Sequence, residues 1–249
     1  MSRSVGLVVP AYHPDPPQLE AYIEALRSSL APESIRVELD DPDGTYEGLA
    51  NRLDAEVATS SHRRGKGMAI TCGFDALDTD IKAFVDADGS TEAASVANLL
   101  EPLEADSVSL TIASRHHPQA TVSGRSRLRQ LMSSGFATLA SLATGFEIGD
   151  FQCGAKAITA DCWADIRDEL YEPGFGWDLE LLWVAINRGY QVEEVPVEWT
   201  EAGESTVPPF RTAAVLLQLL GRISLARLRR TDHWKDGATP LVDRTTTTE

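Results

Sequence analysis

Apolar residues recur along this chain in two rhythms. Short stretches at 5–10 (VGLVVP), 34–39, 56–60, 81–85 and 107–114 read as strands, the first of them a buried type closed by proline. Between them, apolar positions fall at three- and four-residue steps over 19–30, 67–77 and 92–104, which predicts helices. Strands alternating with helices of roughly 10–15 residues imply βαβ units and an α/β fold with a mostly parallel central sheet flanked by helices. Ligands of such sheets bind outside the carboxyl ends of the strands. The segments PAYHPD, DDPDG and DADGS all fall there.

The second half changes character. Leu128, Leu131, Met132, Phe136, Leu139 and Leu142 recur at helical steps within a long helix predicted over 126–144. Helices at 160–170 and 178–188 follow, then a strand at 191–199 and a last helix at 212–230. The tail from 236 is polar and is expected to be disordered. There is no internal repeat, and no apolar run reaches the roughly 18–20 residues of a membrane span.

Charge changes the picture. The 249 residues carry a formal net charge of −16, and only four of the 22 basic residues are lysine. An acidic, lysine-poor surface suits concentrated salt, where screening relieves self-repulsion, so a halophilic host is expected. The same balance argues against nucleic-acid binding. The three cysteines, Cys72, Cys153 and Cys162, have neither CxxC spacing nor an even number, so no disulfide framework or zinc site is suggested and a reducing cytoplasm fits. The N-terminus enters a strand without signal-peptide architecture.

Candidate chemistry gathers at two charge poles. In DADGS, Asp86 and Asp88 are two apart at the end of an apolar strand, so both side chains point to one side. They read either as a turn or as a seat for a hard divalent cation between two carboxylates. Lys66 lies between Gly65 and Gly67, which permit close backbone approach, although the spacing is not that of a P-loop. Arg115, Arg125, Arg127 and Arg129 form the opposite pole, and arginine forks suit phosphate oxygens. Arg129 and Ser133 are four apart and share a helix face. Asp178 either caps its helix or acts in a site, and Glu180 is expected in a structural ion pair.

In this order the segments resemble family 2 glycosyltransferases, most closely the polyprenyl-phosphate (dolichyl-phosphate) mannose and glucose synthases. The resemblance rests on VVPAYHPD, ELDDPDG, HRRGKGMAITCGF, FVDADGS, ASR before GRSRLRQLMSSGF, GDFQCGAKAI and WDLELLWVAINRGYQVEEVPVEW. His13-Pro14 stands where Asn-Glu is usual, Pro42-Asp43 interrupts the DDGS-like turn, and Ala155 replaces a frequent aromatic. The resemblance implies a GT-A-type, Rossmann-like nucleotide-sugar-binding domain over 1–205. An amphipathic basic helix within 206–235 is expected at a membrane, and 236–249 as a tail.

It also implies roles. Asp86 and Asp88 would hold Mg²⁺ or Mn²⁺, with Asp88 the direct ligand. Pro10, Tyr12, Asp40, Asp41, Lys66, Asp86, Arg115, Gln152 and Trp177 would bind the nucleotide-sugar donor. Arg125, Arg129 and Ser133 would bind the acceptor phosphate, and Asp150, Arg129 and Asp178 are the candidate catalytic residues. The implied reaction is inverting hexose transfer from a UDP- or GDP-sugar to a polyprenyl phosphate, on the inner face of the cell membrane and by peripheral contact with anionic lipid. A homodimer is compatible with the apolar helix faces. The alternatives are transfer to a saccharide hydroxyl with Asp150 as base, a non-catalytic nucleotide-sugar-binding scaffold and, third, a sugar-phosphate nucleotidyltransferase, whose glycine-rich opening is absent.

Overall fold

The computed structural model describes residues 3–124, 127–201, 209–229 and 239–245, without the side chains of 127–129, 209–213, 229 and 245. β1 (Val5–Tyr12) leads into α1 (Pro16–Leu30). This helix starts earlier than its apolar spacing predicts, because Asp15 caps it by accepting the Gln18 N–H at 2.9 Å and two prolines fill its first turn. β2 (Ser34–Asp40), β3 (Glu56–Ser60), α2 (Lys66–Ala76) and β4 (Ile81–Val85) follow. The helix expected over 92–104 is two short ones, α3 (Ala93–Asn98) and α4 (Glu101–Glu104), with Pro102 in the first turn of the second.

β5 (Leu110–Ser114) and the short β6 (Thr121–Ser123) precede α5 (Arg127–Thr144). Next comes a strand absent from the sequence reading, β7 (Ala155–Thr159), then α6 (Ala160–Ile166) and α7 (Trp177–Asn187). The strand expected over 191–199 divides into β8 (Val192–Pro196) and β9 (Glu198–Thr200), and β9 leaves the main sheet to pair with β6. The chain ends in α8 (Pro209–Arg229) and α9 (Leu241–Thr245).

The main sheet has the order β3-β2-β1-β4-β7-β5-β8. Every pairing is parallel except those of β7, which runs antiparallel between β4 and β5. The sheet is therefore mostly parallel and flanked by helices, as the alternating pattern predicts. Both faces are covered, so adjacent residues of β1 serve different cores. Val8 packs with Phe74, Phe84, Trp163 and Trp177. Leu7 and Val9 pack with Leu19, Ile23 and Leu26. The chain reverses direction across the sheet at β1 and β4, so their carboxyl ends, with that of β2, open one crevice.

The C-terminal elements differ from expectation in two respects. α8 buries Leu216, Leu219, Leu220, Ile223 and Ala226, while Leu217, Leu225 and Leu228 stay exposed. Its basic end is partly engaged: Arg222 lies 4.0 Å from Glu172, and Arg227 donates to the Leu142 carbonyl at 3.1 Å. α9 lies within the tail expected to be disordered. Leu241 is fully buried and its N–H donates to the Leu170 carbonyl at 2.8 Å, so an apolar pair, Leu241-Val242, is enough to dock this stretch. Residues 236–238 and 246–249 of that tail lie outside the described residues.

Glu180 on α7 makes backbone hydrogen bonds where an ion pair was expected. One of its oxygens accepts the N–H groups of Tyr171 and Glu172, each at 2.8 Å. Burial pushes its carboxyl up to about 8, against the opposing pull of these two bonds. The folded protein therefore holds this proton over a window, from about pH 4.5 to 8, in which the unfolded chain has released it. The associated stability is full below that window and is lost as pH rises through it. Glu180→Gln is expected to flatten this decline, which is on the order of a few kcal/mol. Urea midpoints of both proteins at pH 5 and pH 8.5 measure it, and equal declines would remove Glu180 as the cause.

Candidate active site

The crevice is built around the end of β4. Past Val85, the Asp86 N–H donates to the Gly154 carbonyl at 2.8 Å, which prolongs the pairing with β7. Gly89 adopts φ +67 and Asp88 accepts the Ser90 N–H at 2.9 Å, so the turn reading of DADGS holds for the backbone. It does not use up the carboxylates. Asp88 is exposed, and the Asp86 side chain keeps 38% of its surface.

Behind Asp86 runs a line of alternating charges. Lys66 Nζ lies 3.1 Å from Asp86 and 3.0 Å from Asp178. Lys156 Nζ lies 2.6 Å from the other Asp178 oxygen and donates to the Cys153 carbonyl at 2.9 Å. Lys156 and Asp178 are almost wholly buried. Burial alone would raise Asp178, but Lys156 and Lys66 outweigh it and hold the carboxyl below its ordinary value. Burial would likewise lower Lys66, but Asp178 and Asp86 reverse that, so the ammonium is held firmly charged. Asp86 is pushed up by burial and by Asp88 and Asp178, with Lys66 opposing.

The loop that carries Lys66 is fixed from β2. Asp40 accepts the backbone N–H groups of Arg64 and Gly65 at 2.7 and 3.0 Å, and Arg64 Nε at 2.7 Å. Gly65 has φ +99 and sits where a β-carbon would lie 2.5 Å from the Pro173 carbonyl oxygen, so only glycine fits. Asp40 was expected at the base or ribose. Buried and occupied in this way, it acts instead on the loop, while its neighbour Asp41 is exposed with φ 51. Tyr12 and Pro10 end β1 at the same edge, half-buried, and the Arg63 guanidinium lies 4.0 Å over the Tyr12 ring.

A second ion pair flanks the first group. Arg115 grips Asp150 with Nε and Nη2 at 2.7 and 2.9 Å, and its backbone N–H adds a third bond at 3.2 Å. Burial would raise Asp150, but Arg115 outweighs it and holds the carboxyl below its usual range. That corrects the expectation of Asp150 as a base: a buried, doubly gripped, low-pKa carboxylate is a poor proton acceptor. Gln152 is half-buried beside it. His116 Nε2 lies 3.0 Å from Ser133 Oγ on α5, which brings Ser133 to this edge. A cavity of about 740 Å³ runs from His116 along α5 to Leu142 and Arg227.

Trp177 requires correction as well. It is wholly buried, donates to Thr71 Oγ1 at 3.2 Å and packs edge-on against Phe84, so it belongs to the core beneath the site. Asp178 sits in the first turn of α7, but its oxygens serve the two lysines and not a helix cap. Arg125 and the side chain of Arg129 lie outside the described residues. Lys156, Gly154 and Arg64 are not singled out by the sequence, and His116, which with His117 reads there only as an unfavoured metal pair, meets Ser133 instead. Lys156 carried a signal, being one of four lysines and lying inside the GDFQCGAKAI segment.

The residues present suit a hard divalent cation. Among the described residues no three ligating side chains are grouped. Asp86 and Asp88 nonetheless offer two carboxylates at an open edge, and Mg²⁺-type ions are commonly bound by one or two carboxylates with substrate phosphates completing the shell.

Comparison with known proteins bears on this geometry. A family model described as Glycosyl transferase family 2 matches residues 7–163. The glycosyltransferase AglD of Haloferax volcanii is 29% identical over 213 residues, 82% of this chain and 34% of AglD. A dolichyl-phosphate beta-glucosyltransferase of Trichomonas vaginalis is 29% identical over 258 residues, 95% of this chain and 75% of that protein. The corresponding enzyme of Saccharomyces cerevisiae is 32% identical over 157 residues, 58% of this chain and 47% of the yeast protein. The chain thus spans about a third of AglD and about half of the yeast enzyme. Among solved structures, glucosyl-3-phosphoglycerate synthase from Mycobacterium tuberculosis, in complex with Mn²⁺, UDP and phosphoglyceric acid, superposes with a TM-score of 0.65 at 19% identity, covering 90% of this chain and 78% of that one. That likeness is one of GT-A fold.

Gly154 offers a test of the site's packing. A β-carbon there would lie 2.0 Å from an Asp86 oxygen. Gly154→Ala is expected to displace Asp86 and weaken Mn²⁺ binding in the presence of UDP about tenfold or more, or about 1.4 kcal/mol. Calorimetric titration measures it; unchanged affinity in a folded variant would show that Asp86 is not held by this contact.

Proposed function

The chain belongs to glycosyl transferase family 2, and we propose that it transfers a hexose, with inversion, from a nucleotide sugar to a polyprenyl phosphate. One observation carries the choice of acceptor: the carboxylate that would serve as base, Asp150, is locked to Arg115. A sugar hydroxyl needs a base in order to attack. A phosphate monoester has a second pKa of about 6 and arrives already ionised near neutral pH. Relatives named as dolichyl-phosphate beta-glucosyltransferases support the same acceptor class and favour glucose as the sugar.

An acceptor phosphate oxygen forms the new bond to the anomeric carbon as the bond from that carbon to the donor β-phosphate oxygen breaks. The nucleoside diphosphate leaves with the electron pair. Asp86 and Asp88 would hold Mg²⁺ or Mn²⁺, which would supply positive charge for the leaving diphosphate. Lys66 adds a positive charge beside the leaving group, and the cavity beginning at His116 offers room for the first isoprene units. Arg125, Arg129 and Ser133 orient the acceptor phosphate, and Tyr12, Pro10, Asp41 and Gln152 line the donor side.

A panel of UDP- and GDP-sugars with dolichyl phosphate and Mn²⁺ or Mg²⁺ tests the reading. A lipid-linked hexose of inverted configuration is expected. Transfer to saccharide hydroxyls alone would favour the runner-up, and donor binding without turnover would favour a scaffold. In the same assay Asp88→Asn, which keeps the shape and loses the charge, is expected to lower turnover at least a hundredfold without lowering the melting temperature. Normal turnover would remove Asp88 from the metal site.

The acceptor class implies contact with a bilayer. No helix of the described residues is long and apolar enough to cross one. α5 and α8 nonetheless expose Leu131, Met132, Leu139, Leu142, Leu217, Leu225 and Leu228. This face suits a peripheral seat in the headgroup layer. Because the opposite face of α8 is core, substitution is a cleaner test than truncation. Changing Leu131, Leu142, Leu225 and Leu228 to Ser is expected to abolish flotation with anionic liposomes while leaving UDP binding intact. A fall from dimer to monomer with flotation unchanged would assign the face to a homodimer.

A further inference from the structure

Lys66 faces two demands at once. Its ammonium bridges Asp86 at 3.1 Å and Asp178 at 3.0 Å. Asp86 is also one of the two carboxylates that the reading above gives to the divalent cation. An ammonium and a divalent ion on one carboxylate repel each other. They therefore compete for Asp86.

The surroundings determine where the ammonium can go. Asp178 is pinned from behind by Lys156, 2.6 Å from its other oxygen, so it acts as a fixed post. The backbone of Lys66 is fixed too. It opens α2, the Ala69 N–H donates to the Gly65 carbonyl at 3.0 Å, and the Met68 N–H donates to the Pro173 carbonyl at 3.0 Å. Between that fixed backbone and the ammonium, which lies 5.0 Å over the Phe84 ring, are four side-chain carbons whose torsions can change. Asp178 already neutralises Lys156, so an ammonium driven off Asp86 is left short of negative charge. A diphosphate would meet that need.

We propose that Lys66 couples cation binding to donor binding: the cation displaces the ammonium from Asp86, and the donor diphosphate receives it. The inference rests on the assignment of Asp86 and Asp88 to the cation. It implies that either ligand alone binds weakly and that each strengthens the other by the same factor.

The probes are Mn²⁺ alone, UDP alone and the two together, titrated calorimetrically. In the wild type, UDP is expected to raise Mn²⁺ affinity about tenfold or more. Lys66→Met is expected to move the separate affinities in opposite directions. Mn²⁺ alone binds about threefold or more tighter because its competitor is gone, UDP alone binds more weakly, and the coupling factor shrinks. Lys66→Arg keeps the charge and is expected to leave Mn²⁺ alone as weak as in the wild type. A general structural defect would weaken both ligands together. The proposal is overturned if Lys66→Met weakens Mn²⁺ alone or leaves the coupling unchanged. Should that variant not fold, wild-type Mn²⁺ affinity independent of UDP overturns it equally. A wild type that binds neither Mn²⁺ nor UDP in any combination removes the metal–donor reading itself, a different failure from lost coupling.

Discussion

The line of charges from Lys156 through Asp178 and Lys66 to Asp86 is the constraint on which the rest of the site depends. Taking a charge out of water costs several kcal/mol per ion even after relaxation. Alternation makes this tolerable, since Asp178 and Lys66 each touch two opposite charges. Such a line tolerates little slack. It draws on β7, α7, the start of α2 and the turn after β4, and each must present its group within hydrogen-bond reach of the next. The aromatic floor supports this demand: the Lys66 and Lys156 ammonium groups lie 5.0 and 5.6 Å from the Phe84 ring, and Trp177 packs edge-on beneath it. Trp177 thus contributes to the site without facing it.

The reversed strand explains how these groups meet. Had β7 run parallel to its neighbours, its amino end would lie at the opposite edge of the sheet. Running antiparallel, it brings Cys153, Gly154 and Lys156 to the carboxyl end of β4, with Val85 paired to Ala155 and Phe84 to Lys156. Gly154 can then accept the Asp86 N–H and leave room for its carboxylate, while Lys156 reaches Asp178. One strand direction sets the backbone of the turn after β4 and anchors the charge line together.

Legibility in the sequence followed the physics. β1, β4 and β5 were readable because burial on both faces leaves nearly continuous apolar runs, and α1, α2, α5, α7 and α8 because their apolar spacing is helical. β7 was not, because AKAIT carries a lysine and follows a turn-like GDFQCG, so it resembles a loop until its neighbours are known. Asp86, Lys66 and Asp178 were each visible as candidates, but nothing in spacing says that residues 20 and 92 positions from Asp86 converge on it. The misassigned residues share one cause. Asp40, Asp150 and Trp177 are at or beside the crevice in sequence order, yet burial turns their functional groups toward protein partners, and burial of a polar group is a tertiary property.

The two ion-paired groups divide the chemistry between them. In the line behind Asp86, Lys66 divides its ammonium between two acceptors, and on the coupling proposed above an incoming diphosphate would redistribute that charge. In the Arg115–Asp150 pair the charge is held more tightly, since a bidentate grip and the backbone N–H groups of Arg115 and Gln152 all fall on the one carboxylate. On the proposed function, such a site would meet a charged donor with Lys66, while Asp150, held by Arg115, makes a poor base. It therefore favours an acceptor that brings its own negative charge. The exposed leucines of α5 fit that demand, because the helix that carries Ser133 at the crevice also carries Leu131 and Leu142 on the outside. An acceptor with an ionised head and a hydrocarbon tail is the chemical class that both surfaces of one helix can serve at once.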